Sequence, residues 1–300
     1  MSSILFIIPA LLQVLFSAWR ILISEGTNIQ NVHAFMVWRG LIPALFCAIV
    51  ASVSPWFTLP QSPLFYVASA LAGCIVSYTD AVHLKAPAEH SGEIYAKVSQ
   101  MGVLYVFLFS LATVESFREQ LLGSPMRMAL ALAGFAVLYF ARTRLKKAPL
   151  TLAAIIAMTP AVLLSNGTNM ANGFALNQVP QEAIQSGVLT YIFIVSSIVL
   201  IVNSAILRGK VITAFTEKAT RADGLKIGSL FVFILLAKTS AIALAPTPAY
   251  VIAVGALTPF AVAGINRIRG KVSTASPEEK RTGWLIFGAI TLLMLSTADF

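Results

Sequence analysis

The chain has 300 residues, of which 58% are apolar and only 11% charged, with a mean hydropathy of +0.84. That charged share is roughly half the usual soluble value, which excludes an ordinary water-soluble enzyme or binding module. The formal net charge of +9 has no soluble basic domain to carry it, so it points to basic loops beside a membrane and not to nucleic acid.

A spanning helix needs about 20 apolar residues, and the hydrophobic pattern supplies ten such runs: 3–23, 34–53, 64–84, 91–112, 126–141, 149–166, 187–206, 227–245, 249–266 and 282–298. The expected fold is therefore an all-α integral membrane protein with ten transmembrane helices. The first run starts Met1-Ser2-Ser3 without a basic segment or cleavage site, so it reads as a retained helix and not a signal peptide. Pro55 and Pro60 close the second run and Pro87 the third. Pro246 and Pro248 leave so short a connection that the eighth and ninth helices must be antiparallel neighbours. Cys47 and Cys74 both fall inside apolar runs, where they read as small packing residues and not as a disulfide or a metal site.

The basic residues alternate with the spans. Connections after the third, fifth, seventh and ninth carry Lys85; Arg142, Arg144, Lys146 and Lys147; Arg208, Lys210, Lys218, Arg221 and Lys226; and Arg267, Arg269, Lys271, Lys280 and Arg281. The connections after the second, fourth, sixth and eighth, with both termini, carry only Arg118 and Arg127. By the positive-inside bias the first set is cytoplasmic and both termini are non-cytoplasmic. The expected location is a cell membrane, of the bacterial inner-membrane type.

The chain divides near Arg142–Lys147 into residues 1–148 and 149–300, two halves of five helices within one membrane domain. An odd number of spans per half turns the second upside down relative to the first. Ile8-Pro9-Ala10-Leu11-Leu12 in the first helix matches Thr159-Pro160-Ala161-Val162-Leu163 in the sixth. Tyr78-Thr79-Asp80-Ala81 in the third matches Lys238-Thr239-Ser240-Ala241 in the eighth. Inverted repeats are a recurrent plan of secondary transporters, with the substrate site near the midplane.

Three phrases carry a family resemblance: Ala256-Leu257-Thr258-Pro259-Phe260 in the ninth helix, Gly283-Trp284-Leu285-Ile286 in the last, and Ala86-Pro87-Ala88-Glu89 as the turn into the fourth. With the five-plus-five layout, the chain resembles the drug/metabolite transporter superfamily in its ten-helix EamA-like branch. It departs from that pattern where Arg20 follows Trp19 in place of glycine and where Val114-Glu115-Ser116-Phe117-Arg118-Glu119 replaces a Gly-Glu phrase. Members of the family are also usually drawn with cytoplasmic termini. The resemblance implies a cavity lined by helices one to four and six to nine, with five and ten peripheral.

Charge inside a span is costly and usually faces a bundle interior or a water-filled cavity. Arg20 lies close enough to the cytoplasmic end to snorkel, and reads as an anchor; Arg39 can snorkel or pair. Glu89, Glu93 and Lys97 recur every four residues on one face of the fourth span, with Tyr95 and Gln100 nearby. Asp80, on the adjoining third span, is expected to pair with Arg39 or Lys97. Lys238 stands deepest, with no carboxylate within reach on its own helix, and needs a carboxylate elsewhere, an anionic substrate or a neutral form. Asp80 occupies nearly the equivalent place in the first half, which makes an inter-repeat pair conceivable. The candidate substrate-binding residues are Lys238, Lys97, Glu93, Asp80, Arg39, Tyr78, Gln100, Gln13 and Asn169. Asn166, Thr168 and Asn169 cluster at the non-cytoplasmic end of the sixth span as gating candidates, and Asn203 reads as an interhelical hydrogen-bonding residue. Tyr78, Tyr95 and Trp19 are aromatic wall or packing residues.

No intramembrane protease phrase, His-Glu-x-x-His helix, aspartate cluster or Walker-type loop occurs, so no enzyme activity, cofactor or metal is expected. The expectation is a secondary transporter moving a small anionic or zwitterionic metabolite by alternating access around a midplane site. Its partners would be that solute, the lipid bilayer, and a coupling proton or counter-substrate. Two alternatives stand beside it: a lipid-carrier flippase, and a non-transporting assembly or sensor subunit whose buried charges are structural.

Overall fold

The computed structural model describes residues 5–27, 29, 31–90, 111–112, 115–144, 152–245, 248–255, 257–270, 281, 284–285, 288–289, 291–292 and 295–296. Among these there is no strand. The helices are α1 (Ile7–Gly26), α2 (Val32–Val53), α3 (Pro63–His90), α4 (Glu115–Leu122), α5 (Pro125–Arg144), α6 (Leu152–Leu176), α7 (Ile184–Ile206), α8 (Val211–Thr216), α9 (Lys218–Leu244), α10 (Pro248–Gly255) and α11 (Thr258–Ile268). Six stretches are long and apolar enough to cross a membrane: Ile7–Glu25, Val32–Val53, Pro63–Ala86, Gln181–Ile206, Lys218–Leu244 and Tyr250–Ile268. The chain is a multi-pass helical membrane protein. The fourth expected span lies almost entirely outside the described residues, and so does much of the tenth.

Three expected boundaries are corrected. The break at Pro87 does not occur, since α3 runs through it to His90. The sixth span continues ten residues past 166, to Leu176. The eighth starts nine residues before 227, at Lys218. The ninth is one apolar stretch, Tyr250–Ile268, with a turn at Leu257 between α10 and α11, where Pro259 occupies the first turn of α11, the one place a helix tolerates its missing N–H. Ser124-Pro125 starts α5 by the same rule, the Ser124 hydroxyl accepting from Arg127 N at 3.4 Å.

Helical periodicity separates inside from outside. On α1, Ala10, Val14, Ala18 and Ile21 are buried, while Ile8, Leu11, Leu12, Leu15 and Trp19 are exposed. On α3 the buried stripe is Phe65, Ala68, Ala72 and Val76, and the exposed one is Leu64, Val67, Leu71 and Tyr78. Apolar side chains left outward on several long helices are a surface for lipid, not for water.

The packing has an internal symmetry. Helix α2 packs on α7; α3 on α6 as α1 on α9; α2 on α9 as α7 on α3; and α1 on α3 as α6 on α9. Exchanging α1, α2 and α3 for α6, α7 and α9 maps the α2–α7 pair onto itself and each other pair onto its counterpart. Small residues mark the closest crossings. A Cβ on Gly40 of α2 would lie 2.6 Å from Leu200 N and 2.7 Å from Ser196 O on α7. Gly73 of α3 meets Ile198 of α7, and Gly228 of α9 meets Ile42 and the Trp38 carbonyl of α2. Gly167 on α6 has open space where its Cβ would go. Gly40→Ala is therefore expected to lower the detergent unfolding midpoint, costing about 1–3 kcal/mol by overpacking a backbone contact. Gly167→Ala is expected to raise it, by up to about 1 kcal/mol of helix propensity. Equal midpoints for the two variants would contradict this packing.

The ends of the bundle differ in charge. At one end the Thr58 backbone N–H donates to Ser186 at 3.2 Å and Ser62 to Gln178 at 3.5 Å, joining segments 54–62 and 177–183, which contain no Lys or Arg. At the other, His33 Nδ1 meets Asn203 Oδ1 at 2.7 Å, the interhelical bond expected of Asn203, and Trp38 Nε1 donates to the Ala214 carbonyl at 2.9 Å. This second end gathers Lys85, Arg208, Lys210, Lys218, Arg221, Arg267 and Arg269, and Arg269 lies 5.7 Å from the Trp19 ring.

Candidate functional site

A cavity of about 200 Å³ opens between α1, α2, α3, α6, α7, α9, α10 and the start of α11, many times the roughly 10–15 Å³ one water requires. Its polar lining comes from helically spaced residues on single faces. Helix α1 contributes Gln13, Ser17 and Arg20; α3 contributes Asp80 and His83; α6 contributes Ser165, Thr168, Asn169 and Asn172; and α9 contributes Lys238 and Thr239. Separations of three, four and seven residues place such side chains on one side of a helix. Each of these helices turns a polar stripe inward and keeps apolar side chains on its other faces.

Arg39 organises the end nearer the basic loops. It is 1% exposed. Its Nε and Nη2 both lie 2.8 Å from Asp80 Oδ2, and its Nη1 donates to Ser196 Oγ at 3.3 Å. The guanidinium also stands 4.9 Å from the centroid of the Phe231 ring, and Arg20 approaches that ring at 5.8 Å. Arg39 thus joins α2, α3, α7 and α9 through a charge pair, a hydrogen bond and an aromatic face. An ion pair at this depth is held by desolvation: each partner is costly to bury and tolerable only beside the other.

Lys238 lies seven residues beyond Phe231 on α9, about 10 Å along the helix axis, toward the end opposite Arg208, Lys210, Arg267 and Arg269. It makes no hydrogen bond or ion pair with another described residue. The inter-repeat pair with Asp80 is not formed; Asp80 gives its Oδ2 to Arg39. Facing this region of the cavity is the α6 wall, where Asn172 Nδ2 donates to Thr239 Oγ1 at 3.5 Å and Thr168 Oγ1 to the Ser165 carbonyl at 2.6 Å. Asn169 Oδ1, Asn172 Oδ1 and Gln13 Oε1 are buried and accept no hydrogen bond from the described residues.

Of the expected site residues, Lys238, Asp80, Arg39, Gln13 and Asn169 meet at this cavity. Tyr78 does not. It belongs to the outward stripe of α3 and is 51% exposed, because it stands two positions before Asp80 and about 200° of helical rotation turns it away. Lys97, Glu93 and Gln100 lie outside the described residues. Asn166 turns its amide back onto its own helix, to the Val162 carbonyl at 2.8 Å. Arg20, expected as an interfacial anchor, is buried and lines the cavity. His83, Asn172, Tyr191 and Thr239 are lining residues that sequence reasoning missed. The signal for Asn172 was present: it shares a face with Ser165 and Asn169 at spacings of four and three, as Gln13, Ser17 and Arg20 do on α1.

No family model and no curated protein matches this chain. Its fold is similar to that of a crystal structure described only as "Crystal structure of protein", with a TM-score of 0.64 and 14% identity over 98% of this chain and 97% of that chain. At that identity the likeness concerns the fold alone.

Proposed function

We propose that this protein is a secondary transporter for a small anionic or zwitterionic solute, bound in the cavity around Lys238, Arg39, Asp80, Gln13 and Asn169. One observation carries the reading: a polar cavity deep in an apolar helical bundle, whose described lining holds three cations (Arg20, Arg39 and Lys238) against one carboxylate, Asp80. A cation such as Lys238 that has no partner among the described residues, at a depth where lipid would reject it, is best accounted for by an anion that comes and goes. The ten-helix plan and its two inverted repeats, residues 1–148 and 149–300, are part of the proposal. The exchange symmetry of the packing supports the two repeats. Non-cytoplasmic termini follow from the basic end of the bundle by the positive-inside bias. Membership of the drug/metabolite transporter superfamily, EamA-like branch, rests on the phrases given above.

In this mechanism the Arg39–Asp80 pair holds one end of the bundle together while the solute sits between that pair and Lys238. Rocking of one half against the other exposes the site to each side in turn. A thermal-shift panel of carboxylates, amino acids, organic phosphates, amines and neutral sugars on purified protein tests the reading, because specific ligands stabilise the folded form. Stabilisation by one or more anions or zwitterions, followed by their uptake into proteoliposomes, is expected. A response confined to amines, or to lipids, would sink it.

A further inference from the structure

We infer that the preferred solute is a hydroxylated small anion, one that brings O–H donors to the α6 wall as well as a negative charge to Lys238. This rests on the transport reading above and narrows it. Three amide oxygens lie at this wall and across from it: Asn169 Oδ1 and Asn172 Oδ1 on α6, and Gln13 Oε1 on α1, none with a donor among the described residues. Asn169 and Asn172 are 5% and 3% exposed. A buried carbonyl without a donor is destabilising, and the terminal amide torsion that would swing it toward a ligand is soft. The wall therefore recognises donors, and a site built to bond an O–H or N–H strongly rejects the analogue that lacks it.

Charge then separates the two kinds of donor. An ammonium at this wall would share a low-dielectric cavity with Lys238, Arg20 and Arg39, and the one carboxylate of the described lining, Asp80, is already bonded to Arg39. Like charges so placed repel strongly. A neutral hydroxyl donates as well without that repulsion. The complementary ligand has a carboxylate or phosphate at Lys238 and hydroxyls along Asn169, Asn172 and Gln13.

Four matched four-carbon probes test this by titrated thermal shift on the purified full-length protein: threonate, butyrate, threonine and erythritol. Threonate is expected to bind at least about tenfold more tightly than butyrate, the effect of one good hydrogen bond to a buried group, and more tightly than threonine. In Asn172→Leu, and independently in Asn169→Leu, the threonate-to-butyrate ratio is expected to fall toward one while butyrate binding persists. Equal binding of butyrate and threonate overturns the inference and leaves the anion reading standing. Tighter binding of threonine transfers the wall to ammonium donors and also overturns it. Erythritol matching threonate, with neither affected by Lys238→Met, would remove the anion reading itself. Silence from all four probes overturns the hydroxylated-anion assignment, and the wider panel described above then decides the anion reading separately.

Discussion

Lys238→Met protein is expected to insert, fold and unfold at or slightly above the wild-type midpoint, while binding of any anionic ligand weakens by at least about thirtyfold. The two halves of this expectation come from the same feature. Lys238 has no hydrogen bond or ion pair with a described residue, so removing its charge deletes no such contact and relieves the cost of holding an ammonium inside the bundle. Methionine keeps most of the side-chain length, so the packing of α9 against α1 is preserved. Truncating one member of a desolvated charge pair, by contrast, costs about 2–5 kcal/mol of affinity, and in the proposed function the other member is the solute. The signs separate the roles. A structural lysine would show a lowered midpoint; a solute-binding lysine shows an unchanged or raised midpoint with lost binding. Lys238→Arg gives a graded control, because the charge remains but its planar head cannot occupy the position of a compact ammonium. If Lys238→Met binds and transports normally, Lys238 leaves the site.

What the sequence revealed and what it hid divide along a physical line. Hydropathy averages over all sides of a helix, so it locates α1, α2 and α7 well, where one narrow polar stripe is diluted by apolar residues on the remaining faces, while the charged residues of 218–226 hid the first nine residues of α9. It stopped the sixth span at 166 because Asn166, Thr168, Asn169 and Asn172 drag the average down, yet α6 continues to Leu176 with three of these facing the cavity. A cluster read as a helix end and a gate is the polar wall of the site. Arg20 was misread for a related reason. Distance from the span end suggested snorkelling, while its spacing from Gln13 and Ser17 specified an inward face. Lys238, Arg39 and Asp80 were legible because a charge in mid-span has few explanations. The partner of Asp80 was legible only as a pair of candidates, since choosing Arg39 needs the crossing of α2 over α3, a long-range contact that local pattern does not encode. The turn at Leu257 between α10 and α11 was hidden by the surrounding apolar residues, although Pro259 marked it.

The Arg39–Asp80 pair should produce the largest stability effect in the molecule, and an unequal one. Asp80→Asn leaves a guanidinium that is 1% exposed without its counter-charge, and such a loss costs about 3–5 kcal/mol. Arg39→Met leaves the carboxylate instead, whose side chain is 16% exposed and lines a cavity shared with Arg20 and Lys238. That carboxylate keeps favourable charge nearby, so the expected loss is smaller. The double variant Arg39→Met/Asp80→Asn buries neither charge and should recover most of the stability lost by Asp80→Asn alone. Chemical unfolding of the four proteins in one detergent measures the coupling, expected to exceed about 2 kcal/mol for neighbours of this kind. Additive single effects would mean that the pair contributes nothing beyond its separate side chains. Proteoliposome uptake by the double variant then decides what the pair is for. Normal transport would make it a scaffold holding α2, α3, α7 and α9 in register. Folded protein that binds the anion but no longer moves it would place the pair in the transport cycle, as the contact that must open for one end of the cavity to do so.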